Sequence, residues 1–272
     1  MSEGVFIKKE HIIYIAFAAV VVVGVVAYIV LAAADSSALI GQQVTHSNMQ
    51  ALQQIANNNS LAQQVGVGII VPGVGSNLPK KITAPPYISN GKPEVLYVGG
   101  EFCPYCAVTR WGLIIALMRF GTFSNLTYMQ SSAKDAYPST PTFSFRNSSY
   151  HSTLINFNGE ELTDRNEQPI NSTNFTDQQQ FVYGKYSSSG IPFIDFANTS
   201  VQSGSVVSPA ILHGLNWDQA IANLTNQNSV VSQGVIGSAD IFTAYICGSN
   251  QARNATAPAC QQAYVKEILR SG

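Results

Sequence analysis

Charged residues are scarce in this chain of 272 residues. Lysine, arginine, aspartate and glutamate make up 11% of it, against about 25% in typical soluble proteins. The formal net charge is −1 and no basic patch is present, which argues against a nucleic-acid partner. A surface with few carboxylates changes its charge little as the pH falls. The composition therefore fits an acidic external medium, although compositional drift would produce the same scarcity.

Charge and proline are both absent from residues 12–34, an apolar run that is long enough to span a bilayer. Lys8 and Lys9 precede the run, and the next lysine or arginine is Lys80. This asymmetry places the N-terminus inside and the rest of the chain outside. The alternative is a cleaved signal peptide, because three alanines end the run, but signal-peptide apolar cores usually have only about 7–15 residues.

The chain therefore divides into four predicted parts. They are a cytoplasmic tail (1–11), a transmembrane helix (12–34), an extracytoplasmic stalk or linker (35–91) and a folded domain (92–272) with an insertion at about 132–188. In the stalk, “SNMQALQQIA” predicts a short amphipathic helix with Ser47 as its N-cap. The glycines and prolines that follow predict mostly irregular chain.

Glycosylation sequons agree with an outer location. Eight N-x-S/T triplets without a central proline follow the apolar run. Each one is weak evidence in a chain rich in Asn and Ser, but all lie on the predicted outer side, where disulfides also form and persist. They begin at Asn58, Asn125, Asn147, Asn171, Asn174, Asn198, Asn223 and Asn254.

The folded domain has the pattern of an α/β protein. “PEVLYVGG” predicts a buried strand, “CAVTRWGLIIALMRFG” a helix that ends near Gly121, and “NLTYMQSS” a second strand, so a βαβ unit carries its cysteines at the start of the crossover helix. Pro192 heads the apolar run “GIPFIDFAN”, a position that requires a sheet edge or a cis bond because proline cannot donate to a strand ladder. Further predicted strands are “TFSF”, “STLINF” and “SVVSPAILHG”, and further predicted helices are “NFTDQQQFVYGKYSS” (N-cap Asn174), “NWDQAIANL” and “VVSQGVIGSADIFTAYICG”.

The motif “CPYC” admits three interpretations: a redox pair, half of a metal site, or a structural disulfide. A thiolate is the nucleophile in redox exchange, and a helix N-terminus stabilises its charge, so we expect Cys103 to have a lowered pKa. Cys106 lies one turn later and can close a disulfide with it. Pro104 suits the first helical turn, where its missing N–H is not needed. A structural bridge over so short a loop constrains the unfolded chain little, so the redox interpretation is favoured.

The other two cysteines do not complete a metal site. Cys247 and Cys260 are too widely spaced for a zinc finger or ribbon, and the four histidines are scattered singly. We predict a structural disulfide between these two cysteines, which would stabilise the domain by about 3 kcal/mol in the chain-entropy account. A second redox pair is the alternative.

The order of strand, “FCPYC”, helix, strand and then “GIPFID” resembles the thioredoxin-like superfamily. There the C-x-x-C motif opens the first helix, and a cis-proline loop lies beside it. The resemblance implies that Cys103 is the nucleophile, Cys106 the resolving thiol and Pro192 the cis-proline, with the Ile191 backbone pairing with a substrate strand. Tyr105 is expected to be exposed beside the thiols. The Pro-Tyr dipeptide is similar to that of glutaredoxins, and the long insertion is similar to that of periplasmic disulfide oxidases and isomerases.

A closer resemblance covers most of residues 85–265. “YISNGKPEVLYVGGEFCPYCAVTRW” and “ALMRFGTFSNLTYM” are similar to a family of membrane-anchored archaeal proteins defined only as a domain of unknown function. One position departs from thioredoxins, which place a buried acid six residues before the first cysteine to help deprotonate the resolving thiol. Here that position is Tyr97. The nearest carboxylate is Glu101, which is either a solvated loop residue or a proton-transfer group.

The sequence therefore predicts a membrane-anchored, extracytoplasmic thiol–disulfide oxidoreductase. Its fold would be α/β and thioredoxin-like, with a central mixed sheet flanked by helices. Secreted or surface proteins would be its substrates, a membrane protein its redox partner, and no metal or diffusing cofactor is expected. The direction of the reaction depends on the reduction potential. The alternative is a glycosylated surface binding or structural module in which the C-x-x-C cysteines form only a structural disulfide.

Overall fold

The computed structural model describes residues 11, 14–15, 17–25, 37–69, 78–170, 175–187, 190–249 and 256–271. The chain divides into two compact units, Met1–Ile40 and Gly41–Gly272. In the first unit, the described residues between 11 and 25 are helical and exposed. The other positions of the predicted transmembrane helix, 12–34, lie outside the described residues.

Among the described residues, one helix is long and apolar enough to cross a membrane, Val230–Ser249. It belongs to the second unit, and 83% of its most apolar window is buried there. Such burial is typical of a core helix, which passes the same test of length and composition. The described part of the chain thus gives no support to the N-terminal anchor over 12–34, which stays a prediction.

The second unit contains helices on both sides of short strands. Its helices are α1 (His46–Ala56), α2 (Asn59–Val65), α3 (Pro104–Met118), α4 (Asp177–Tyr186), α5 (Trp217–Leu224), α6 (Val230–Ser249) and α7 (Ala263–Ser271). Its strands are β1 (Lys80–Lys81), β2 (Ile88–Ser89), β3 (Lys92–Gly99), β4 (Thr122–Ser124), β5 (Thr127–Gln130), β6 (Pro141–Ser144), β7 (Ser149–His151), β8 (Asn156–Glu161), β9 (Phe193–Phe196) and β10 (Ser200–Ser203).

A mixed sheet forms the centre of this unit, as the sequence predicts. Its middle strand, β3, is parallel to β8 and antiparallel to β9, and β10 and then β1 continue the sheet beyond β9. Strand β2 adds a short antiparallel contact at the start of β3. Successive side chains of a strand point to opposite faces, and Val95, Leu96, Tyr97 and Val98 are all buried. Both faces of β3 are therefore covered, which explains its continuous apolar sequence.

The helix that carries the cysteines, α3, packs against α6. At Gly112 of α3, a side chain would overlap with Ser238 and crowd Phe242 of α6. Glycine therefore permits the close approach of the two helices. Beyond the last turn of α3, Arg119 pairs with Asp240 of α6, with 2.7 Å between Nη2 and Oδ1. These contacts fix the helix at its middle and at its C-terminal end.

The second strand of the predicted βαβ unit has a different partner from the one expected. “NLTYMQSS” forms β5, but β5 pairs with β6 in a separate antiparallel hairpin, and the parallel neighbour of β3 is β8. Two indole groups hold this hairpin. Trp111 Nε1 donates to Pro141 O at 2.8 Å, and Trp217 Nε1 donates to Thr142 O at 2.6 Å. The hairpin therefore packs on the helices, and after α3 the chain returns to the central sheet only at β8.

Some local predictions are wrong where polar side chains cap helices. The segment “SVVSPAILHG” is not a strand, since Pro209–Leu212 is a 3-10 helix with Ser208 as its N-cap. The N-cap of α1 is Thr45 rather than Ser47. Helix α4 is capped by Thr176 in a capping box, whereas the predicted cap, Asn174, lies outside the described residues.

The segment predicted as a stalk differs from a free linker. Helices α1 and α2 belong to the same compact unit as the sheet, and Leu52 and Ile55 are buried. Gln53 Nε2 donates to Met118 O at 2.9 Å, and Arg119 Nε donates to Ala56 O at 3.3 Å. The apolar stripe of α1 thus packs on the C-terminal end of α3 because an amphipathic helix needs a surface on which to bury that stripe.

Cys247 and Cys260 form a disulfide, which confirms the predicted pairing. It joins α6 to the short 3-10 helix Pro258–Gln261 that precedes α7, and the two Cα atoms are 5.6 Å apart. The C-terminal helix is therefore covalently tied to the core helix.

Candidate functional site

Cys103 is the N-cap of α3. Its sulfur accepts a hydrogen bond from the backbone N–H of Cys106, with 3.3 Å between the two atoms, and Pro104 occupies the first turn. Both cysteines are free thiols; Cys106 is fully buried, and Cys103 is only 7% exposed. The motif therefore has the placement that the sequence predicts, with the first sulfur against the free N–H groups of the helix.

The two thiols differ in acidity. The Cys106 thiol donates a hydrogen bond to the Cys103 sulfur, and this bond lowers the pKa of Cys103 against the opposing effect of burial. Burial raises the pKa of Cys106 well above its ordinary value. Burial favours the neutral form of a thiol, and for Cys106 it outweighs the opposing effect of the nearby Arg110 charge. The pKa order thus favours Cys103 over Cys106 as the thiolate of the pair.

A buried ion pair lies within electrostatic reach of the two cysteines. Arg110 is on α3, one turn after Cys106, and its Nε and Nη2 donate to the two carboxylate oxygens of Glu161 at 2.8 and 2.7 Å. Nη2 also donates to the Gly100 carbonyl at 2.6 Å. Burial raises the pKa of Glu161, and the Arg110 charge opposes that shift.

Glu161 reaches this place through the sheet. It is the last residue of β8 and pairs with Gly99 of β3. Gly99 lies four residues before Cys103 in the sequence. Neither member of this ion pair was predicted from the sequence. An arginine within an otherwise apolar helix was the available signal, since a fully buried arginine needs a partner, but no pattern pointed to Glu161.

Tyr97 is fully buried beside the same arginine. The Arg110 guanidinium carbon lies 5.7 Å from the centre of the Tyr97 ring, and the Tyr97 hydroxyl makes no hydrogen bond with the described residues. Burial raises the pKa of Tyr97 well above its usual value. The position where thioredoxins carry a buried acid is thus filled by a neutral donor next to a cation.

Glu101 is buried, unlike a solvated loop residue. Its Oε1 accepts a hydrogen bond from Ser144 Oγ at 2.6 Å, and its charge contributes to the raised pKa of Glu161. The carboxylate therefore lies within electrostatic reach of the ion pair, held by the β5–β6 hairpin.

Pro192 lies at the same end of the sheet as the cysteines. The Ile191–Pro192 peptide bond is cis. Val98 pairs with Phe193, so the antiparallel register places Pro192 next to Gly99, at the end of β3 that leads to Cys103. The Pro192 carbonyl accepts from Gly204 N at 2.7 Å. Among the described residues, none forms a hydrogen bond with the Ile191 backbone.

The surface next to the cysteines is aromatic. Tyr105 is 43% exposed, and its ring makes an edge contact with Tyr137, with 6.2 Å between the ring centres. Tyr137 belongs to the loop between β5 and β6, which Ser132 N ties to Phe102 O at 2.8 Å. A partner that reaches Cys103 would therefore meet this aromatic pair.

The sequons differ in exposure. Asn58, Asn125 and Asn147 are exposed, and Asn223 is partly exposed. Asn198 is only 4% exposed, and its Nδ2 donates to Pro85 O at 3.2 Å. The remaining three sequons, at Asn171, Asn174 and Asn254, lie outside the described residues. Within the described part of the chain, no group of three or more His, Cys, Asp or Glu side chains could hold a metal ion.

Comparison with known protein families gives a match to part of the chain. Residues 79–188 match the model of a domain of unknown function, DUF929. The matched segment contains both C-x-x-C cysteines, Arg110 and Glu161, and it ends before Pro192. It agrees with the resemblance to a domain of unknown function that the sequence analysis found. No curated protein and no solved structure matches the chain.

Proposed function

We propose that this protein is a membrane-anchored, extracytoplasmic thiol–disulfide oxidoreductase. One observation carries the proposal: the Cys103 sulfur caps α3, accepts the Cys106 backbone N–H at 3.3 Å and has a lowered pKa. A thiolate stabilised at a helix N-terminus is the form that attacks disulfides. Cys106, neutral and one turn away, is placed to resolve the mixed disulfide.

The proposal includes a thioredoxin-like fold for the second unit. The strand before the cysteines (β3), the helix that they open (α3), the parallel strand (β8) and the antiparallel strand headed by Pro192 (β9) share one region of the structure in the expected order. The insertion then comprises the segments between α3 and β8 and between β8 and Pro192. Sheet order and register, rather than overall similarity to a solved structure, support this assignment.

The reaction moves two electrons between the dithiol and a substrate disulfide. The Cys103 thiolate attacks one substrate sulfur and releases the other as a thiolate. Cys106 then attacks Cys103, which forms the intramolecular disulfide and releases the second substrate thiol. Run backwards, the same steps introduce a disulfide into a substrate. A membrane redox partner would regenerate the starting state in either direction.

Secreted or surface proteins are the proposed substrates. The Cys247–Cys260 disulfide is consistent with an oxidising compartment. The Ile191 backbone, next to Pro192 and without a hydrogen bond among the described residues, is available to pair with an extended substrate segment. The Tyr105–Tyr137 pair would contact the same segment beside Cys103.

A second candidate is a surface binding module in which Cys103 and Cys106 form only a structural disulfide. The burial of both sulfurs favours it, since an inaccessible thiol exchanges slowly. The two functions differ in the stability of the Cys103–Cys106 bond, because structural disulfides resist reduction and have potentials below about −300 mV.

The test is the reduction potential of the full chain, purified in mild detergent. Thiol trapping across a graded glutathione series would report the Cys103–Cys106 bond, with Cys103→Ser as the control. A midpoint between about −120 and −270 mV, the span of known oxidoreductases, supports the enzyme, and its value indicates the direction. A pair that stays oxidised throughout the series would contradict the enzyme and favour the binding module.

A further inference from the structure

Arg110 has one nitrogen that the surrounding protein does not use. Two of its nitrogens bind Glu161 and the Gly100 carbonyl, but Nη1 is buried and makes no hydrogen bond with the described residues. A buried donor without an acceptor costs about 1–3 kcal/mol. This donor at the centre of the site is therefore free to bind an acceptor that arises in another state of the reaction.

The Tyr97 hydroxyl is a second unused donor in the same place. It is buried without a partner among the described residues, and its ring lies under the Arg110 guanidinium. The Cys106 sulfur interacts electrostatically with both Arg110 and Tyr97, and it becomes an acceptor when it loses its proton. Cys106 and Arg110 are four residues apart on α3 and so share a helix face. Both also contact Gly100: its backbone hydrogen-bonds to Cys106, and its carbonyl accepts from Arg110.

We propose that Arg110 and Tyr97 are positioning residues that stabilise the Cys106 thiolate while it resolves the mixed disulfide. The inference rests on the proposed function and assigns a role to two residues within it. Glu161 holds the guanidinium in place but is itself occupied by two hydrogen bonds from it. The Arg110 charge favours the thiolate of both cysteines, and Cys106 is the one that burial otherwise keeps neutral.

The resolving step is balanced without another reactant. Cys106 loses its proton, its sulfur attacks Cys103, and the bond between Cys103 and the substrate sulfur breaks. The leaving thiolate takes up one proton, so the mixed disulfide and the Cys106 thiol become the Cys103–Cys106 disulfide and one released substrate thiol. Arg110 and Tyr97 neither gain nor lose a proton; they lower the energy of the anion that exists between the two events.

An aromatic disulfide separates the two steps in time. The reduced full chain in detergent is mixed with 5,5′-dithiobis(2-nitrobenzoate), and the coloured thiolate is followed by stopped flow. Attack by Cys103 releases the first equivalent and leaves a mixed disulfide. Attack by Cys106 then releases the second equivalent and one proton. The first phase tests the proposed function, and the second phase tests this inference.

The expected result is a slower second phase when the donors are removed. A rise of about two units in the Cys106 pKa slows its attack about tenfold near neutral pH, because the smaller thiolate fraction outweighs the gain in nucleophilicity. We expect this loss for Arg110→Met, a smaller loss for Tyr97→Phe, and partial recovery with Arg110→Lys. The pH at which the second phase reaches half of its maximal rate, its midpoint, should rise in Arg110→Met and in Tyr97→Phe. The rate of the first phase should change less than the rate of the second.

Two controls separate this role from damage to the fold. Arg110→Met leaves Glu161 as an unpaired buried charge, which destabilises a protein strongly, whereas removal of both charges is often neutral. The double variant Arg110→Met/Glu161→Met should therefore fold and still resolve slowly. Arg119→Met breaks a second buried arginine–carboxylate pair, at the far end of α3, and should leave the second-phase midpoint unchanged.

Three results would overturn the inference. They are a normal second phase in Arg110→Met and Tyr97→Phe, recovery of the rate in the double variant, or an equal midpoint shift in Arg119→Met. Absence of the first phase in the unmodified protein would instead contradict the proposed function, because Cys103 would then not be a nucleophile.

Discussion

Gly112 of α3 lies directly against Ser238 of α6, and the space between the helices admits no side chain at position 112. We expect Gly112→Val to lower the free energy of unfolding by about 1–3 kcal/mol, because overpacking forces the helices apart. Gly184 of α4 is the matched control, since a Cβ there would meet nothing within 4 Å. Gly184→Val should change stability by less than about 1 kcal/mol, because valine and glycine differ little in helix propensity. Equal effects of the two substitutions in urea denaturation would show that the crossing is not tight.

Stability should be greater in mild acid than at neutral pH. Burial raises the pKa of Asp195 and that of Asp240 to about 7, so the folded state holds protons that the unfolded chain releases above pH 4. The contribution of these protons to the free energy of unfolding is fully present below about pH 4, and it is lost as the pH rises through about 7. The total change is of order 1–4 kcal/mol for each group, from 1.36 kcal/mol per pKa unit.

The pH effect is checked by denaturation at several pH values between 4 and 8. Asp195→Asn keeps an oxygen for the Asn198 N–H, which donates to Asp195 Oδ1 at 2.9 Å, but removes the titration. This variant should show a flatter dependence of the unfolding free energy on pH. A wild-type protein that grows more stable from pH 4 to pH 7 would contradict the prediction.

The Cys247–Cys260 disulfide should contribute about 3 kcal/mol by constraining the unfolded chain. We expect Cys247→Ala/Cys260→Ala to lose about that much in denaturant unfolding. The first phase of the aromatic disulfide reaction, in which Cys103 releases the coloured thiolate, should stay the same, because the disulfide ties α7 to α6 and includes neither Cys103 nor Cys106. Loss of both stability and thiol reactivity would indicate that the C-terminal helix also supports the site.

Glycosylation should follow exposure rather than sequence. If the second unit is outside the cell, Asn125 and Asn147 should carry glycans, because both are exposed. Asn198 should not, because it is buried and its amide donates to Pro85 O. Glycopeptide mass spectrometry of the protein from its native membrane would check this. Equal occupancy at Asn198 would mean that modification precedes folding of the β9–β10 hairpin.

Long apolar segments were predictable from the sequence, and polar contacts over long separations were not. The “PEVLYVGG” strand and helices α3, α5 and α6 appear where the apolar pattern places them. Strand β8 reads “NFNGEE” and is only partly buried over most of its length, so its sequence gives no sign that it is the parallel neighbour of β3. The apolar β5 was the better candidate by pattern, but two tryptophans hold its hairpin against the helices instead.

In the candidate site too, local patterns were predictable from the sequence and distant contacts were not. Cys103 and Cys106 were identified because a local motif and a helix start coincide. Arg110 and Glu161 were not identified, because 51 residues separate them along the chain, and these residues include the β5–β6 hairpin. Their pairing depends on which strand lies beside β3, and that register is decided by tertiary packing rather than by local sequence.

The chain has two tryptophans, and both indole groups donate to carbonyls of adjacent residues at the start of β6. Intrinsic fluorescence of this protein therefore reports on one place, the seam between the β5–β6 hairpin and the helices. Water that reached the seam would shift the emission to longer wavelengths. A red shift at constant far-ultraviolet circular dichroism would thus reveal a hairpin lifted from α3 over an intact sheet, without any attached label.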